Sequence, residues 1–250
     1  MMLAGTRLAL AFRLALRELR GGLGGFYIFL ACIALGTGAI AAVNSVSRSI
    51  TDAISTQGQS LLAGDVRFEI NNREATPDEL AYLDGLGKLS QSTGLRSMAR
   101  LPDGSDQSLV EVKAVDDAYP LYGTFEADPD QPLSTLLAKS DDSYGAVVAP
   151  LLLDRLNLKI GSELLLGNAR LRITGTVKTE PDSVSEGFGF APRLLTSRDA
   201  LIASGLIQTG SLVEQVYKIR LDDPAASMTN IAARANAAFP QAGWSIRTSD

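Results

Sequence analysis

The sequence predicts an α+β chain in which one N-terminal transmembrane helix with a stalk precedes a mixed, mainly antiparallel extracytoplasmic domain of two subdomains. Three observations carry this prediction. Residues 21–47 contain no charged side chain. The later sequence alternates strand-like segments with capped helices, and turn residues join several strands as hairpins. The resulting boundaries are a cytoplasmic amphipathic helix at 1–20, the transmembrane helix at 21–47, the stalk at 48–58 and the outer domain at 59–250.

The composition excludes several classes of protein and site. The chain has 250 residues, of which 46% are hydrophobic and 20% charged, so it is not an intrinsically disordered chain. One cysteine, Cys32, allows no internal disulfide. The absence of histidine from the sequence removes Ser-His-Asp triads and the usual zinc ligand sets. The net charge of −5 argues against a nucleic-acid partner.

The charge is distributed unevenly along the chain. Residues 1–20 carry four arginines and one glutamate, a net charge of +3, whereas the remainder carries 19 basic and 27 acidic residues, a net charge of −8. Between them, the 21 uncharged residues 26–46 would span about 32 Å as a helix, which matches a bilayer core. Positive charge before a span predicts a cytoplasmic N-terminus and places everything after about residue 47 outside. A cleaved signal peptide is the alternative, because residues 39–41 read Ala-Ile-Ala.

The arginines before this span recur at helical spacing and predict a basic amphipathic helix at the membrane surface. This helix is either a topology signal alone or a docking helix for a cytoplasmic protein. The four arginines are Arg7, Arg13, Arg17 and Arg20.

A stripe of small residues in the span, at positions i, i+4 and i+8, offers close approach to another membrane helix, although small residues also align by chance. The apolar spacing of three to four residues continues beyond the span without a proline, which predicts a projecting stalk. The residues of the stripe and the stalk are Ala34, Gly38, Ala42, Val46, Ile50 and Ile54.

The outer domain begins with strand and helix signals. Alternation over 63–70 predicts a half-buried strand. Thr76, Pro77 and Glu79 predict a helix start by their capping-box spacing, and the helix should end near Leu86. Two strands should follow at 88–101 and 107–115, joined by the turn Pro-Asp-Gly.

The middle of the domain should contain a loop, a strand that leads into a helix, and a hairpin. Residues 116–132 are loop-like, and 147–158 begin as a strand and become a helix. Gly167-Asn168 predicts a hairpin between strands at 163–166 and 169–177.

The last third should add a helix capped near Ser197 and running to Ser204, a strand at 212–221, a helix at 224–238 and a final strand at 244–247. Strands and helices are therefore mixed, and hairpins are prominent, as in an α+β domain.

No residue pattern predicts catalysis, a cofactor or a metal ion. The sequence has no GxxxxGK[ST] phosphate loop. Its acidic pairs, such as Asp116-Asp117, lack a complete calcium-loop pattern and are typical of a solvated face. Glu180 and Asp182, on either side of Pro181, could form a carboxylate pair, but a turn is favoured because no nearby base or nucleophile stands out. Cys32 is interpreted as a packing residue rather than a reactive thiol.

Five segments, taken in order, carry a resemblance to a known family. They span 12–36, 61–70, 112–123, 149–182 and 188–201, and the most characteristic are VKAVDDAYPLYG and a stretch with the pattern LxxGSxLxLGxxxxxITGxV. Together they resemble ABC transporter permeases of the FtsX-like, MacB-like class, and in particular the YbbP-type subgroup. The resemblance covers the whole chain and rests on the order and spacing of these segments.

This resemblance implies a bacterial inner-membrane protein with a MacB-like periplasmic core domain and no enzyme activity of its own. A separate cytoplasmic ABC ATPase would hydrolyse ATP, and the permease would transmit mechanical work to the outer domain. The implied partners are that ATPase, the remaining membrane helices of the same permease, an extracytoplasmic protein and membrane lipid, with a lipid-like or lipid-linked cargo.

Family members continue with further membrane helices, so a chain ending at Asp250 is expected to be the first helix and outer domain of a longer permease. The alternative is a single-pass sensor or an anchored binding module with an extracytoplasmic ligand domain.

Overall fold

A computed structural model describes residues 27, 29–42, 63–182, 191–208, 210–222 and 230–249. The chain divides into two compact units, Met1–Ile54 and Ser55–Asp250. In the first unit, residues 29–42 are helical. None of the helices in the described ranges is both long enough and apolar enough to cross a membrane. The predicted amphipathic helix at 1–20 and the predicted stalk at 48–58 lie outside the described residues.

The second unit alternates strands and short helices. In order they are β1 (Val66–Asn71), α1 (Pro77–Asp84), β2 (Gly87–Arg100), β3 (Gln107–Val115), β4 (Glu126–Asp128), α2 (Leu133–Leu136), β5 (Lys139–Ser140), β6 (Ser143–Val148), α3 (Pro150–Leu156), β7 (Glu163–Leu166), β8 (Ala169–Thr179), β9 (Arg193–Ser197), α4 (Arg198–Ser204), β10 (Glu214–Leu221), α5 (Ile231–Ala238) and β11 (Ser245–Thr248).

These strands form one continuous sheet. Its order is β11-β1-β10-β2-β3-β9-β6-β8-β4, with β5 paired to β6 and β7 paired to β2 and β8. Only β3–β9 and β6–β8 are parallel among the pairings of the described strands. The mixed, mainly antiparallel α+β sheet that the sequence predicts is therefore confirmed. The division into two subdomains stays a prediction.

Strand β2 joins the two halves of the sheet because it is long. Residues 87–94 pair with β10, whereas Ala99 and Arg100 pair with β7. Because β7 also pairs with β8, the strands β2, β3, β9, β6, β8 and β7 close into a circuit.

One face of the sheet is apolar and carries two core clusters. The first contains Phe68, Tyr217 and Trp244, with helices α1 and α5 packed against it. The rings of Phe68 and Trp244 meet edge to face at 5.2 Å. The second lies on the circuit strands and contains Val112 and Leu194, together with residues of α3 and α4. Burial of the side chains in both clusters supplies the main driving force for folding the second unit.

The opposite face divides into an apolar end and a polar middle. At the apolar end, Val115, Val147 and Leu195 pack under the segment that contains α2. In the polar middle, β10 and β3 contribute the buried residues Lys218 and Lys113. This polar face holds the candidate site.

Hydrogen bonds join the beginning and the end of the described part of the second unit. The amide of Ser249 donates to the carbonyl of Asp65 at 3.0 Å, and the amide of Asp65 donates to the carbonyl of Ile219 at 2.9 Å. The Asp65 carboxylate accepts from the amide of Leu221 and from the hydroxyl of Tyr122. The two ends of the domain therefore lie side by side at one fully buried aspartate.

Local signals located most elements correctly. Helix α1 begins with the predicted capping box, in which Thr76 and Glu79 bond reciprocally. The hairpin β7–β8 has the predicted turn. The predicted helix at 224–238 begins, in its described part, at Ile231, because Asn230 adopts a left-handed conformation. Strands β4 and β9 were not predicted: β4 lies in the stretch 116–132 that was expected to be a loop, and β9 precedes the helix capped near Ser197.

Gly145 marks the tightest packing between β6 and α2, and its substitution tests that contact. A Cβ at Gly145 would lie 1.9 Å from the carbonyl oxygen of Leu136. Gly145→Ala should therefore lower the free energy of unfolding by roughly 2–3 kcal/mol through overpacking. At the control position Gly94, the nearest atoms would lie 3.9 Å away. Gly94→Ala should change the free energy by less than about 1 kcal/mol. Equal effects in chemical denaturation would contradict this packing.

Candidate functional site

The candidate site is built over a row of small residues on β2. Ser90, Ser92 and Gly94 lie on the polar face at alternate positions of this strand. On either side, β10 and β3 pair with β2 and carry Lys218 and Lys113. Because a strand side chain projects perpendicular to the sheet, small residues between longer ones leave a trough along β2.

Both lysines bond to one carboxylate above this trough. The Lys113 ammonium donates to Asp182 at 2.7 Å and to Glu180 at 2.8 Å. Lys218 donates to the same Asp182 oxygen as Lys113. The Tyr119 hydroxyl donates to the other Asp182 oxygen at 2.7 Å, and the Lys113 ammonium lies 4.8 Å from the centre of its ring.

The cluster extends to β9 through a guanidinium. Arg193 donates to Glu180 at 3.1 Å, and it approaches Glu111 at 3.7 Å. We call these charged groups, together with Tyr119, the ion cluster. Its three cations and three carboxylates balance, as the burial of charge requires. The members are Glu111, Lys113, Tyr119, Glu180, Asp182, Arg193 and Lys218.

Charge keeps Asp182 ionised against the effect of burial. Asp182 is completely buried. Burial by itself would raise the pKa of Asp182, but the charges of Lys113 and Lys218 and their hydrogen bonds hold that pKa well below its usual range. The carboxylate is therefore a fixed negative charge that ties β10 and β3 to the segment after β8.

A second carboxylate positions the loop that carries Tyr119. Asp116 accepts from the Ser90 hydroxyl at 2.8 Å and from the Gln91 amide at 2.6 Å. The Asp116 amide donates back to the Gln91 carbonyl at 3.2 Å. These bonds attach the loop after β3 to β2, next to the ion cluster.

Beyond the ion cluster, the trough opens into a groove with a volume of about 580 Å³. We call it the β2 groove. Its described lining residues are Asn71, Asn72, Ser92, Gly94, Leu95, Arg96, Glu111, Lys113, Arg193, Leu212, Val213, Glu214 and Val216.

Arg67 lies close to the β2 groove. Its side chain is 3% exposed and contacts Glu214 at 2.7 Å and Glu69 at 3.3 Å through one nitrogen, Nη2. The other two nitrogens, Nε and Nη1, are buried and have no hydrogen-bond partner among the residues that the structure describes. Arg67 thus donates to one carboxylate oxygen of Glu214, Oε1.

The residues predicted from the sequence occupy different places. Glu180 and Asp182 both accept hydrogen bonds from Lys113, and Asp182 also accepts one from Lys218. No sequence pattern singled out these two lysines. Within the described residues, no group of three or more acidic or cysteine side chains is placed to hold a metal ion. Asp116 instead accepts hydrogen bonds.

The predicted docking and packing residues belong to the N-terminal unit. Ala34, Gly38 and Ala42 lie on its described helix, where all three are exposed and nothing lies within 4 Å of a Cβ built at Gly38. Outside the described residues are Arg7, Arg13, Arg17, Arg20, Val46, Ile50 and Ile54.

Removal of the Asp182 charge tests the ion cluster. Asp182→Asn would leave two buried lysines without their shared carboxylate, so we expect the free energy of unfolding to fall by about 3–5 kcal/mol. Asp142 is exposed. The control Asp142→Asn should stay within about 0.5 kcal/mol of the parent chain. Chemical denaturation of the three proteins measures both values, and similar values for the two variants would exclude a stabilising cluster.

The contribution of Asp182 to the free energy of unfolding should depend on pH. The pKa of Asp182 is lowered in the folded state. The unfolded chain therefore binds this proton more tightly, and the contribution of Asp182 to stability is lost as the pH falls below the ordinary value of about 4. The parent chain should consequently lose more stability between pH 5 and pH 3 than Asp182→Asn does. Parallel curves would contradict the ionised state of Asp182.

Comparisons with known proteins identify the family. The family model for the MacB-like periplasmic core domain matches residues 27–245. The uncharacterized ABC transporter permease YbbP of Escherichia coli (strain K12) is 32% identical over 188 residues, which are 74% of this chain and 22% of the permease. The chain thus spans about a fifth of the length of that relative.

Solved structures give weaker matches. The periplasmic region of MacB from Actinobacillus actinomycetemcomitans matches with a TM-score of 0.48 and 11% identity, covering 77% of this chain and 92% of that one. The extracellular domain of the noncanonic ABC-type transporter YknZ from Gram-positive bacteria matches with a TM-score of 0.48 and 8% identity, covering 73% of this chain and all of that one. On the family model and the 32% identity, the chain belongs to the family of the MacB-like periplasmic core domain.

Proposed function

We propose that the chain is part of an ABC transporter permease in the bacterial inner membrane. It transmits motion, driven by a separate cytoplasmic ATPase, to its extracytoplasmic domain. The observation that carries this proposal is the order of the sequence: four arginines, the uncharged residues 21–47, and then the core domain of this family.

The charge pattern supports the orientation. The net charge of +3 before the uncharged segment favours a cytoplasmic N-terminus, and the net charge of −8 after residue 20 belongs almost entirely to the outer domain. The helix at 29–42 lies within the uncharged segment. We therefore assign 21–47 as the transmembrane helix and 48–58 as its extension.

Three sets of N-terminal residues receive roles in this proposal. The arginines of the amphipathic helix contact the ATPase. The small residues of the stripe, exposed on the described helix, pack against other membrane helices of the permease. The apolar stalk residues pack against a second stalk. The three sets are Arg7, Arg13, Arg17 and Arg20; Ala34, Gly38 and Ala42; and Val46, Ile50 and Ile54.

The junction at Asp65 supports a domain placed between two membrane helices. The amide of Ser249 donates to the carbonyl of Asp65, so the two ends of the described domain are adjacent. A domain with adjacent ends can extend from two neighbouring membrane helices without a long linker.

The cargo in this proposal is lipid-like or lipid-linked, as the resemblance to the YbbP-type subgroup implies. The moving parts are the stalk and the outer domain, which contact membrane lipid and an extracytoplasmic partner protein. ATP hydrolysis remains with the separate ATPase.

The β2 groove favours one alternative function, an anchored module that binds a ligand outside the membrane. Its volume of about 580 Å³ falls within the range of small-molecule sites. Copurification of an ABC ATPase with the membrane-bound protein distinguishes the permease from such a module.

Cysteine labelling tests the proposed orientation. Ser105 lies in the exposed turn between β2 and β3. A cysteine at Ser105 should react with a membrane-impermeant thiol reagent in intact spheroplasts, because the outer domain faces outward, and a cysteine at Thr6 should react only after lysis. Each is introduced with Cys32 replaced by Ala, so that the parent carries no thiol. The opposite labelling pattern would refute the orientation.

A proline in the stalk tests motion transfer. In the complete permease complex, Ile50→Pro removes a helical hydrogen bond and clashes with the preceding turn, at a local cost of about 3 kcal/mol or more. We expect membrane insertion and ATPase binding to persist while transport is lost and ATP hydrolysis becomes uncoupled from it. Ile50→Ala serves as the control, since it keeps the helix. Normal transport by stably expressed Ile50→Pro would exclude a rigid stalk.

A further inference from the structure

The β2 groove contains polar groups that the ion cluster does not use. Ser92 lines the groove and is only 5% exposed. No hydrogen bond joins its hydroxyl to any part of the chain that the structure describes. The Ser92 hydroxyl, which can both donate and accept, is therefore available to bond to a molecule in the groove.

Two groups of opposite charge also face the groove. Glu214 gives one oxygen to Arg67, and its other oxygen would lie 3.9 Å from a Cβ at Gly94. Arg96 is exposed and makes no ion pair within the described residues. Glu214 lies opposite Gly94, and Arg96 follows two residues along β2, a separation of about 7 Å along the strand. The groove therefore presents a carboxylate and a guanidinium to one ligand.

The remaining polar groups of the groove are suited to hydrogen-bonding with peptide groups. The amides of Asn71 and Asn72 line the groove and have no partner among the described side chains. Each amide both donates and accepts, as a peptide group does. Leu212, which is 84% exposed, and the buried Val216 add apolar surface.

We propose that the β2 groove binds a short peptide with free termini. The peptide carboxylate pairs with Arg96, and the peptide ammonium pairs with the free oxygen of Glu214. The Ser92 hydroxyl and the two asparagine amides bond to its peptide groups, and an apolar side chain contacts Leu212. This site goes beyond the proposed transport role, because it requires neither the ATPase nor the stalk.

The charges and shape of the groove favour this class over two others. An anionic ligand would meet Glu111 and Glu214 as well as the cations, and the ion cluster already balances Lys113 and Arg193. No aromatic ring belongs to the described lining, so a sugar would have no stacking surface there. A phosphoethanolamine headgroup shares the two charges but lacks peptide groups, and it serves as the comparison ligand.

Calorimetric titration of the 250-residue chain in detergent micelles tests the ligand class. The probe is the tripeptide alanyl-leucyl-alanine. We expect saturable binding of the free tripeptide and at least tenfold weaker binding of its N-acetylated and C-amidated forms, because each form lacks one charge. Absence of tripeptide binding, equal binding of the blocked forms, or tighter binding of phosphoethanolamine would each overturn the proposal.

Matched variants locate the binding site. Gly94→Val fills the groove where a Cβ meets only atoms 3.9 Å away, so tripeptide binding should be lost. Arg96→Gln should weaken binding at least tenfold, whereas the control Arg100→Gln, an exposed position farther along β2, should leave it unchanged. If Gly94→Val lowers the melting temperature, the comparison of Arg96→Gln with Arg100→Gln decides whether the tripeptide binds in the β2 groove. Equal affinities in those two variants would overturn the site.

Discussion

The polar face of the sheet depends on one buried carboxylate. Lys113 and Lys218 reach across the small residues of β2 and meet at Asp182. Without that carboxylate, two ammonium groups would be buried close together in a medium that solvates charge poorly. The segment after β8 is held at this meeting point, and three members of the ion cluster, Glu111, Lys113 and Arg193, also line the β2 groove.

The fold was predictable where its signals are local. A capping box around Thr76 and a hairpin turn at Gly167 involve residues only a few positions apart, and both are present. Strand β9 gives no such signal. Its five residues become a strand by pairing in parallel with β3, more than eighty positions earlier, and against β6. Propensity over five residues does not contain that information.

The ion cluster was predictable only in part. The sequence draws attention to the carboxylates of Glu180 and Asp182 because they flank a proline. It gives no such signal for their partners, Lys113 and Lys218. Lys113 and Lys218 occupy positions in alternating strands where the pattern places polar, solvent-facing residues. They are buried because the segment at 180–182 covers them, across 36 to 69 residues of chain. Such covering is a tertiary event with no counterpart in local spacing.

The junction at Asp65 brings the beginning and the end of the described outer domain side by side. The carbonyl of Asp65 accepts from the amide of Ser249, and β1 pairs with β11. The hydrogen bonds of the domain itself therefore fix the distance between its two described ends. The same geometry makes the domain interchangeable: a different domain whose ends lie equally close could be grafted at this point without moving the chain segments that carry it.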